Sequence, residues 1–486
     1  MRTLRVVLVT LIAAVLAACG SGSAPTVAID VIGSPDDPFE TGVRLSAAGQ
    51  LVRAATAEGL VGLDEQGQVI PALADRWIVT DDGLSYIFRL RDGSWPDGTE
   101  ISGDTARQSL RAALARLAGT SLSLDLAPID EIRAMAGRVI EIRLHRPTPD
   151  LLQLLAQPEL GLIHKGAGGG PMILKRSGET AILALIPPSQ LGLPQPDDWR
   201  AGQRVLNVLA LPAHLATQRF SEGKVDVVLG GRFEDLPLAQ AVAGIARRPL
   251  RLDPAHGLFG LVVVTPRGWL ALPECREALA MAIDRDAIGA ALGLGAWSGT
   301  TLIAPTGNGT APAERWADRS IGQRRAEAAT RIARCKGRSG DPGPLRLTLP
   351  NGPGSDALHA LLAEDLARVG IALARVRPRS AGDLRLIDLI ARSQRPEWYL
   401  HQLSCAVLKG PCSEAADARM ALIEAQTDPA AATQVAAEAL GAQTSANIYI
   451  PLGNPVRWSL VRERVEGFSL NPAAFHPLPP FARVGG

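Results

Sequence analysis

Hydrophobic and polar residues alternate most regularly over residues 84–90, where Leu, Tyr, Phe and Leu take every second position. This period of two predicts a strand with one buried face. A second strand is predicted at Val139–Leu144 and another at 447–452, and the valine-rich run 258–265 is typical of a strand buried on both faces. Short strands separated by glycine and proline turns therefore recur through the chain.

Other segments repeat apolar residues with the spacing of a helix. Pro71 is suited to the first position of a short helical turn, and Ser102 or Asp104 can cap a longer helix. Strand, helix and strand follow one another further on, at 345–349, 356–369 and 371–373. Such a succession indicates an α/β protein.

The order of residues from 58 to 117 resembles the N-terminal signature of extracellular solute-binding protein family 5. These are the peptide-, dipeptide- and nickel-binding lipoproteins that serve ABC importers. The chain carries, in succession, Gly-Leu, Pro-x-Leu-Ala-x-x-Trp, Asp-Gly-Leu-x-Tyr-x-Phe-x-Leu-Arg and Trp-x-Asp-Gly-Thr. Many spaced identities in one row make this a specific signal, unlike a single glycine motif.

The resemblance implies an α/β fold of the two-lobed periplasmic-binding-protein type, type II in its large cluster C form, with an extra small α/β subdomain in the first lobe. The predicted parts are a signal peptide at 1–18, a discontinuous first lobe at 19–52, 160–265 and 450–486, a small subdomain at 53–159 and a second lobe at 266–449. Two strands, 258–265 and 447–452, are expected to cross between the lobes as a hinge. A ligand is then expected in the cleft between the lobes.

The first residues have the features of a bacterial lipoprotein signal. Arg2 and Arg5 precede an apolar run that is too short for a comfortable membrane span. Leu-Ala-Ala-Cys at 16–19 matches the lipobox, which predicts cleavage before Cys19 and lipidation of its thiol. An ordinary secretory signal with an incidental cysteine is the alternative. We expect a periplasmic or cell-envelope protein tethered to a membrane by this anchor.

Composition narrows the class of protein. The 486 residues exceed one ordinary core, so two or three lobes are expected. A formal net charge of +1 argues against a nucleic-acid surface, which would concentrate lysine and arginine. Aromatic residues make up only 4% of the chain, which is low for a carbohydrate-binding cleft.

Four cysteines remain after Cys19. Cys405 and Cys412 are close enough to bridge in an oxidising compartment, and they resemble the bridged segment of the dipeptide-binding members. Chain entropy for so short a loop gives roughly 2.5 kcal/mol of stabilisation. The sequence leaves open whether Cys275 and Cys335 are free, buried or paired.

Three further motifs have a sharper and a plainer interpretation. The glycine-rich run 166–171 lacks the Gly-Lys-Ser/Thr of a phosphate loop and is interpreted as a turn. Asp226, in a Gly-Lys-Val-Asp sequence, is interpreted as a turn or capping residue and not as a catalytic carboxylate. Arg276, Asp284 and Arg285 are expected to form structural ion pairs or caps, and a ligand-binding role is the alternative.

The clearest departure from the family is at residues 388–400, which read DLIARSQRPEWYL. Dipeptide-binding members carry a Gly-Asp-Asn-Gly-Asp-Pro run here, whose first Asp receives the ammonium group of the ligand. Arg392 stands in place of that Asp and Arg395 at the next acidic position, so recognition of a free peptide N-terminus is not expected. We predict that Arg392 or Arg395, beside Trp398, faces a carboxylate or phosphate in the cleft. The alternative is that both arginines are solvated on a loop.

The sequence thus predicts a lipid-anchored, monomeric receptor that captures a peptide-like or other small solute by hinge closure and delivers it to an ABC permease with its ATPase. A binding protein that has lost its ligand and acts as a structural or chaperone-like partner is the alternative, favoured by the short 405–412 segment. An enzyme is less expected, because His-Glu-x-x-His, Gly-x-Ser-x-Gly, Walker and dinucleotide motifs are absent. No catalytic residue, metal, cofactor or nucleic-acid partner is predicted.

Overall fold

The computed structural model describes residues 25–244, 248–305, 314–426 and 428–483. The strands are β1 (Thr26–Ile32), β2 (Val61–Leu63), β3 (Val69–Pro71), β4 (Ala74–Val79), β5 (Ser85–Leu90), β6 (Ile129–Ala134), β7 (Val139–Leu144), β8 (Ile163–His164), β9 (Ala167–Gly168), β10 (Met172–Ser177), β11 (Thr180–Leu185), β12 (Val205–Leu211), β13 (Val227–Arg232), β14 (Leu250–Leu252), β15 (Gly257–Val263), β16 (Leu345–Thr348), β17 (Leu373–Val376), β18 (Leu384–Ile390), β19 (Tyr449–Gly453) and β20 (Arg457–Val461).

The helices are α1 (Ala47–Thr56), α2 (Gly103–Arg116), α3 (Ser121–Asp125), α4 (Leu151–Leu155), α5 (Ala213–Ser221), α6 (Leu236–Ala243), α7 (Pro273–Ala282), α8 (Arg285–Ala291), α9 (Ile321–Ser339), α10 (Pro353–Ala367), α11 (Pro396–Gln402), α12 (Cys405–Leu408), α13 (Glu414–Glu424) and α14 (Pro429–Ala446). Within the described ranges, none of these helices is long and apolar enough to cross a membrane. The predicted signal peptide and Cys19 lie outside the described residues.

Three sheets organise the chain. The first lobe is built on a seven-stranded sheet in the order β10-β11-β12-β1-β13-β20-β14, and the second lobe on a five-stranded sheet in the order β17-β16-β18-β15-β19. The small subdomain has a four-stranded sheet in the order β4-β5-β7-β6. In the first lobe β1 pairs in parallel with β12 and β13, and its residues Ile29 and Val31 are fully buried. This is the α/β class predicted from the sequence.

The small subdomain shows why the most regular alternation forms a strand. Tyr86, Phe88 and Leu90 of β5 are buried on one face, and the sheet packs this face against α2. Ser102 caps α2 by accepting a hydrogen bond from the backbone N–H of Thr105, whose side chain in turn accepts one from the Ser102 backbone. The predicted cap at Ser102 is thus present.

Pro71 does not begin a helical turn as predicted. It ends β3, and Ala74–Val79 continues as β4, the edge strand of the small subdomain. The turn prediction relied on Pro71 and three apolar residues, yet Trp77 pairs with Phe88 across the strands and their rings lie 6.5 Å apart. Packing between strands overrides the local helical signal here.

The two strands expected to cross between the lobes, β15 and β19, both belong to the second lobe. β15 pairs with β18 on one side and β19 on the other, within the five-stranded sheet. The boundaries predicted from the sequence put residues up to 265 and from 450 onward in the first lobe. The chain instead leaves the seven-stranded sheet after β14 and returns to it at β20, so the connections are 253–256 and 454–456. The boundary is missed because the apolar pattern marks a buried strand without showing which sheet it joins.

Two disulfides lie in the second lobe. Cys405 and Cys412 are bridged, as the sequence favoured, and close the short loop after α12. Cys275 and Cys335, which the sequence left open, join α7 to α9 with a Cα–Cα distance of 6.1 Å. Both sulfurs of this second bridge are in the main hydrophobic cluster, where Cys275 is fully buried.

The glycine-rich run 166–171 contains a tight turn, and close packing requires glycine at position 170 but not at position 169. A Cβ on Gly170 would lie 2.4 Å from the backbone carbon of Thr56 at the end of α1, whereas a Cβ on Gly169 would make ordinary contact with Trp95 at 3.6 Å. Gly170 therefore lets the chain pass the end of α1.

Gly170→Ala should lower the free energy of unfolding by about 1–3 kcal/mol, because the added methyl group must displace backbone. Chemical denaturation measures this loss. Gly169→Ala, the matched control, should change the stability by no more than about 0.5 kcal/mol. Equal losses in the two variants would contradict the packing explanation.

Candidate functional site

Two cavities lie between the lobes. The larger has a volume of about 1160 Å³ and is lined by the small subdomain, the 391–397 segment, α13 and α14. The smaller has a volume of about 500 Å³ and lies between residues 43–50 and 117–122 on one side and β15, β18 and the 407–411 loop on the other. Both volumes are of the size that accepts small organic ligands.

Arg392 lines both cavities and therefore stands in the wall between them. It follows the carboxyl end of β18, a position where α/β proteins often bind ligands. Its Nη2 donates a hydrogen bond to Oε1 of Glu159, at 2.6 Å. Glu159 belongs to the small subdomain and its side chain is only 5% exposed. The ion pair thus connects the second lobe with the small subdomain.

The sequence suggests two arrangements, an arginine beside Trp398 that faces an anion in the cleft, or arginines solvated on a loop. Arg395 and Trp398 are placed differently from both. Arg395 donates a hydrogen bond to Glu397 and has Asp150 of the small subdomain at 3.8 Å. Trp398 is buried in a hydrophobic cluster with Leu258. Arg392 and Arg395 are therefore neither simply solvated nor without a counter-charge, since each already holds a carboxylate of the protein.

A second buried pair crosses the same boundary. Nδ1 of His401, in α11, lies 2.7 Å from Oδ1 of Asp125 at the end of α3. Burial raises the pKa of Asp125, and His401 partly offsets this rise. No group of three or more His, Cys, Asp or Glu side chains that could hold a metal ion occurs in the described ranges.

Charged residues also join the two large sheets near the crossing strands. Asp388 in β18 accepts hydrogen bonds from Arg232 at 2.8 Å and from Arg457 at 2.8 Å. Arg232 and Arg457 are opposite one another on β13 and β20 of the first lobe. A single carboxylate of the second lobe therefore bridges two adjacent cations of the first lobe and reduces their mutual repulsion.

Glu234 lies beside this cluster, with its Oε1 3.6 Å from Nε of Arg232. Burial raises the pKa of Glu234 to about 7, although Arg232 lowers it. The backbone of Glu234 approaches Gly352 so closely that a Cβ on Gly352 would lie 2.5 Å from its carbonyl oxygen. The two lobes are thus in tight contact here, and Phe233 of the first lobe packs edge-on against Phe259 of the second at 5.1 Å.

The remaining residues singled out from the sequence have structural roles. Asp226 accepts a hydrogen bond from the backbone of Ala28, and Asp284 caps α8. Arg276 and Arg285 donate to backbone carbonyls, including those of Ala446 and Pro451. Asp284 thus forms the expected cap, whereas Arg276 and Arg285 have structural roles through backbone carbonyls and not through the expected ion pairs.

Glu159, Asp125 and Asp388 were not singled out from the sequence as site residues. Each is paired with a residue more than 60 positions away, so no local spacing identifies the pair. The only local signal was the position of Arg392 itself, where a cation replaces an expected acid. Such a replacement is easiest to accommodate when a carboxylate is supplied by another part of the fold.

Comparisons with known proteins indicate which class of protein this chain resembles. Residues 68–184 match the family model of bacterial extracellular solute-binding proteins, family 5 Middle. The chain is 33% identical over 125 residues to the probable deoxycholate-binding periplasmic protein YgiS of Escherichia coli K12, which is 21% of this chain and 23% of that protein. It is 26% identical over 270 residues to the periplasmic murein peptide-binding protein MppA of Escherichia coli K12, which is 47% of each chain.

The fold agrees over nearly the whole chain. The structure of the Escherichia coli murein tripeptide binding protein MppA superposes with a TM-score of 0.78 and 17% identity, covering 96% of this chain and 99% of that one. This likeness confirms the two-lobed periplasmic-binding-protein fold. The resemblance to solute-binding protein family 5 that the sequence predicts is confirmed over residues 68–184. The sequence matches to the curated relatives span less than half of their lengths.

Proposed function

We propose that the protein is the solute-binding receptor of an ABC importer. It captures a small solute between its lobes by hinge closure and delivers it to a membrane permease driven by an ATPase. The predicted lipid on Cys19 tethers it to a membrane of the cell envelope. The observation that carries the proposal is a pair of ligand-sized cavities between the lobes of a fold shared with MppA.

The names of the relatives indicate only broad chemical classes for the solute. They are named for a bile acid, a murein peptide and, in a third case, glutathione. Recognition of a free peptide N-terminus by a carboxylate at position 392 is not available to this chain. Glu159 supplies a carboxylate nearby, but Arg392 already neutralises it. We therefore favour a small solute over an extended peptide held by its ammonium group.

Native mass spectrometry of the mature protein purified from its host tests the proposal directly. We expect a bound small molecule whose re-addition to the stripped protein raises the unfolding midpoint with concentration, because binding stabilises by RT ln(1 + [L]/Kd). Turnover of the bound molecule would instead point to an enzyme. No bound molecule, together with no shift across peptides, amino acids, sugars and metal complexes, would refute the receptor role.

A second candidate is a protein that closes without a solute and serves a structural role. The observation that favours it is the set of polar contacts that already cross the cleft, the ion pair of Arg392 with Glu159 and the hydrogen bond between His401 and Asp125. Such pairs supply closing contacts that a solute would otherwise provide.

The double variant Arg392→Gln/Glu159→Gln separates the two candidates. If the polar contacts across the cleft hold it closed, small-angle X-ray scattering of the solute-free protein should show a larger radius of gyration for the variant than for the wild type. Asp104→Asn/Arg107→Gln, which removes an exposed pair on α2, is the matched control. A receptor whose closure depends on solute should give equal radii in the solute-free state and contract only on binding.

A further inference from the structure

The smaller cavity has an unusual excess of positive charge. Four cationic side chains line it, those of Arg44, Arg385, Arg392 and Lys409, against the single carboxylate of Glu159. Arg392 and Glu159 neutralise each other. Across the described part of the chain, the side chains of Arg44, Arg385 and Lys409 have neither a hydrogen-bond partner nor an ion-pair partner. Three solvent-exposed cations without a protein counter-charge thus border a space of about 500 Å³.

These cations approach the cavity from both lobes. Arg44 precedes α1 of the first lobe, Arg385 lies in β18 of the second lobe, and Lys409 follows α12. Like charges that face one another across a cleft oppose its closure, whereas an anion between them favours closure. An anion bound between these three segments would therefore favour closure, which an anion bound to scattered surface charges would not.

The loop that carries Lys409 is held in place. The Cys405–Cys412 disulfide closes this loop, and residues 407–411 line the cavity. Lys409 itself has a φ of 49°, a left-handed conformation that is uncommon for residues other than glycine. Strained backbone of this kind is often found at ligand sites, where the surrounding structure fixes it.

The wall of the cavity also contains an unsatisfied polar atom. Oε2 of Glu159 is buried and has no hydrogen-bond partner among the described residues, and Glu159 is 4% exposed overall. A buried acceptor left without a partner is costly. A polar solute with a hydroxyl or amide N–H would satisfy it.

We propose that the smaller cavity binds the carboxylate or phosphate group of a small anionic solute through Arg44, Arg385 and Lys409. This inference rests on the proposed receptor function and assigns the chemical class of its solute. It also moves the anion from Arg392 and Arg395, where the sequence placed it, to three cations that have no protein partner. The anion joins Arg44 of the first lobe to the cations of the second and so couples binding to closure.

Three probes with one sugar ring test the charge requirement: glucose, glucuronate and glucose 6-phosphate. The unfolding midpoint of the mature protein is measured against the concentration of each probe. We expect at least one anion to raise it and glucose to leave it unchanged. The two anions distinguish a carboxylate site from a phosphate site. An equal effect of glucose, or no effect of either anion up to 10 mM, would overturn the proposal.

The variant Arg44→Gln/Arg385→Gln/Lys409→Gln identifies the cavity as the binding site. It breaks no ion pair, so it should fold, and circular dichroism checks that it does. We expect the anion to bind at least about tenfold more weakly, since hydrogen bonds to charged groups are among the strongest. Arg176→Gln, which removes an exposed arginine of the first lobe, is the control. Undiminished anion binding in the triple variant would overturn the proposal. If native mass spectrometry then still found a neutral or cationic solute, the receptor function would stand without it.

Discussion

Asp388→Ala should lower the free energy of unfolding by about 3–5 kcal/mol, the usual loss when one partner of a buried ion cluster is removed. The side chain of Asp388 is 3% exposed and that of Arg457 is 12% exposed. Burial lowers the pKa of Arg457 and Asp388 opposes this shift, so the carboxylate stabilises the buried guanidinium. Without Asp388, Arg457 and Arg232 would face each other with only Glu234, 3.6 Å from Arg232, as a nearby carboxyl group. Urea denaturation of the two proteins measures the difference.

Arg457→Met in the Asp388→Ala background is the informative control. If the loss in Asp388→Ala comes from an uncompensated buried cation, removal of that cation should restore part of the stability. A double-mutant cycle then gives a coupling energy between positions 388 and 457 of more than about 0.5 kcal/mol. Losses that simply add, or an Asp388→Ala protein within about 1 kcal/mol of the wild type, would contradict a role for Asp388 in joining the lobes.

The elements of this fold could be predicted where local pattern and packing agree. The strand at β5 follows its alternation because one face meets α2, and α10 ends near Gly370, whose φ of 79° requires glycine. The prediction at Pro71 was wrong because partners on β5 decide the conformation there. The predicted boundaries of the lobes are wrong at β15 and β19, because the hydrophobic pattern of a buried strand is the same in either sheet.

The site could be predicted less well than the fold. Family resemblance located the cleft and drew attention to Arg392, but the partners of this arginine come from another part of the chain. The cations at Arg44, Arg385 and Lys409 lie in three segments that no motif connects. Only the fold brings them around one cavity, and a near-neutral total charge conceals such a local excess.

Glu234→Gln should remove a marked pH dependence of stability. The pKa of Glu234 is raised from 4.5 to about 7 in the folded protein, chiefly by burial. Below pH 4.5 both the folded and the unfolded states keep the proton, so stability is fully present. As the pH rises towards 7 the unfolded state loses the proton first, and the folded protein becomes less stable. The loss amounts to about 3 kcal/mol and is complete above the folded pKa.

Urea denaturation of both proteins at intervals between pH 4 and pH 8 gives the two profiles. The difference in stability, Glu234→Gln minus wild type, should rise over this interval and then level off. Glu179→Gln, at an exposed glutamate of the first lobe, should give a constant difference. Parallel profiles for Glu234→Gln and the wild type would mean that water reaches this carboxyl group. Glu234 lies where the first lobe meets the start of α10. In that case its charge would be hydrated, and its ionisation would not weaken the contact between the lobes.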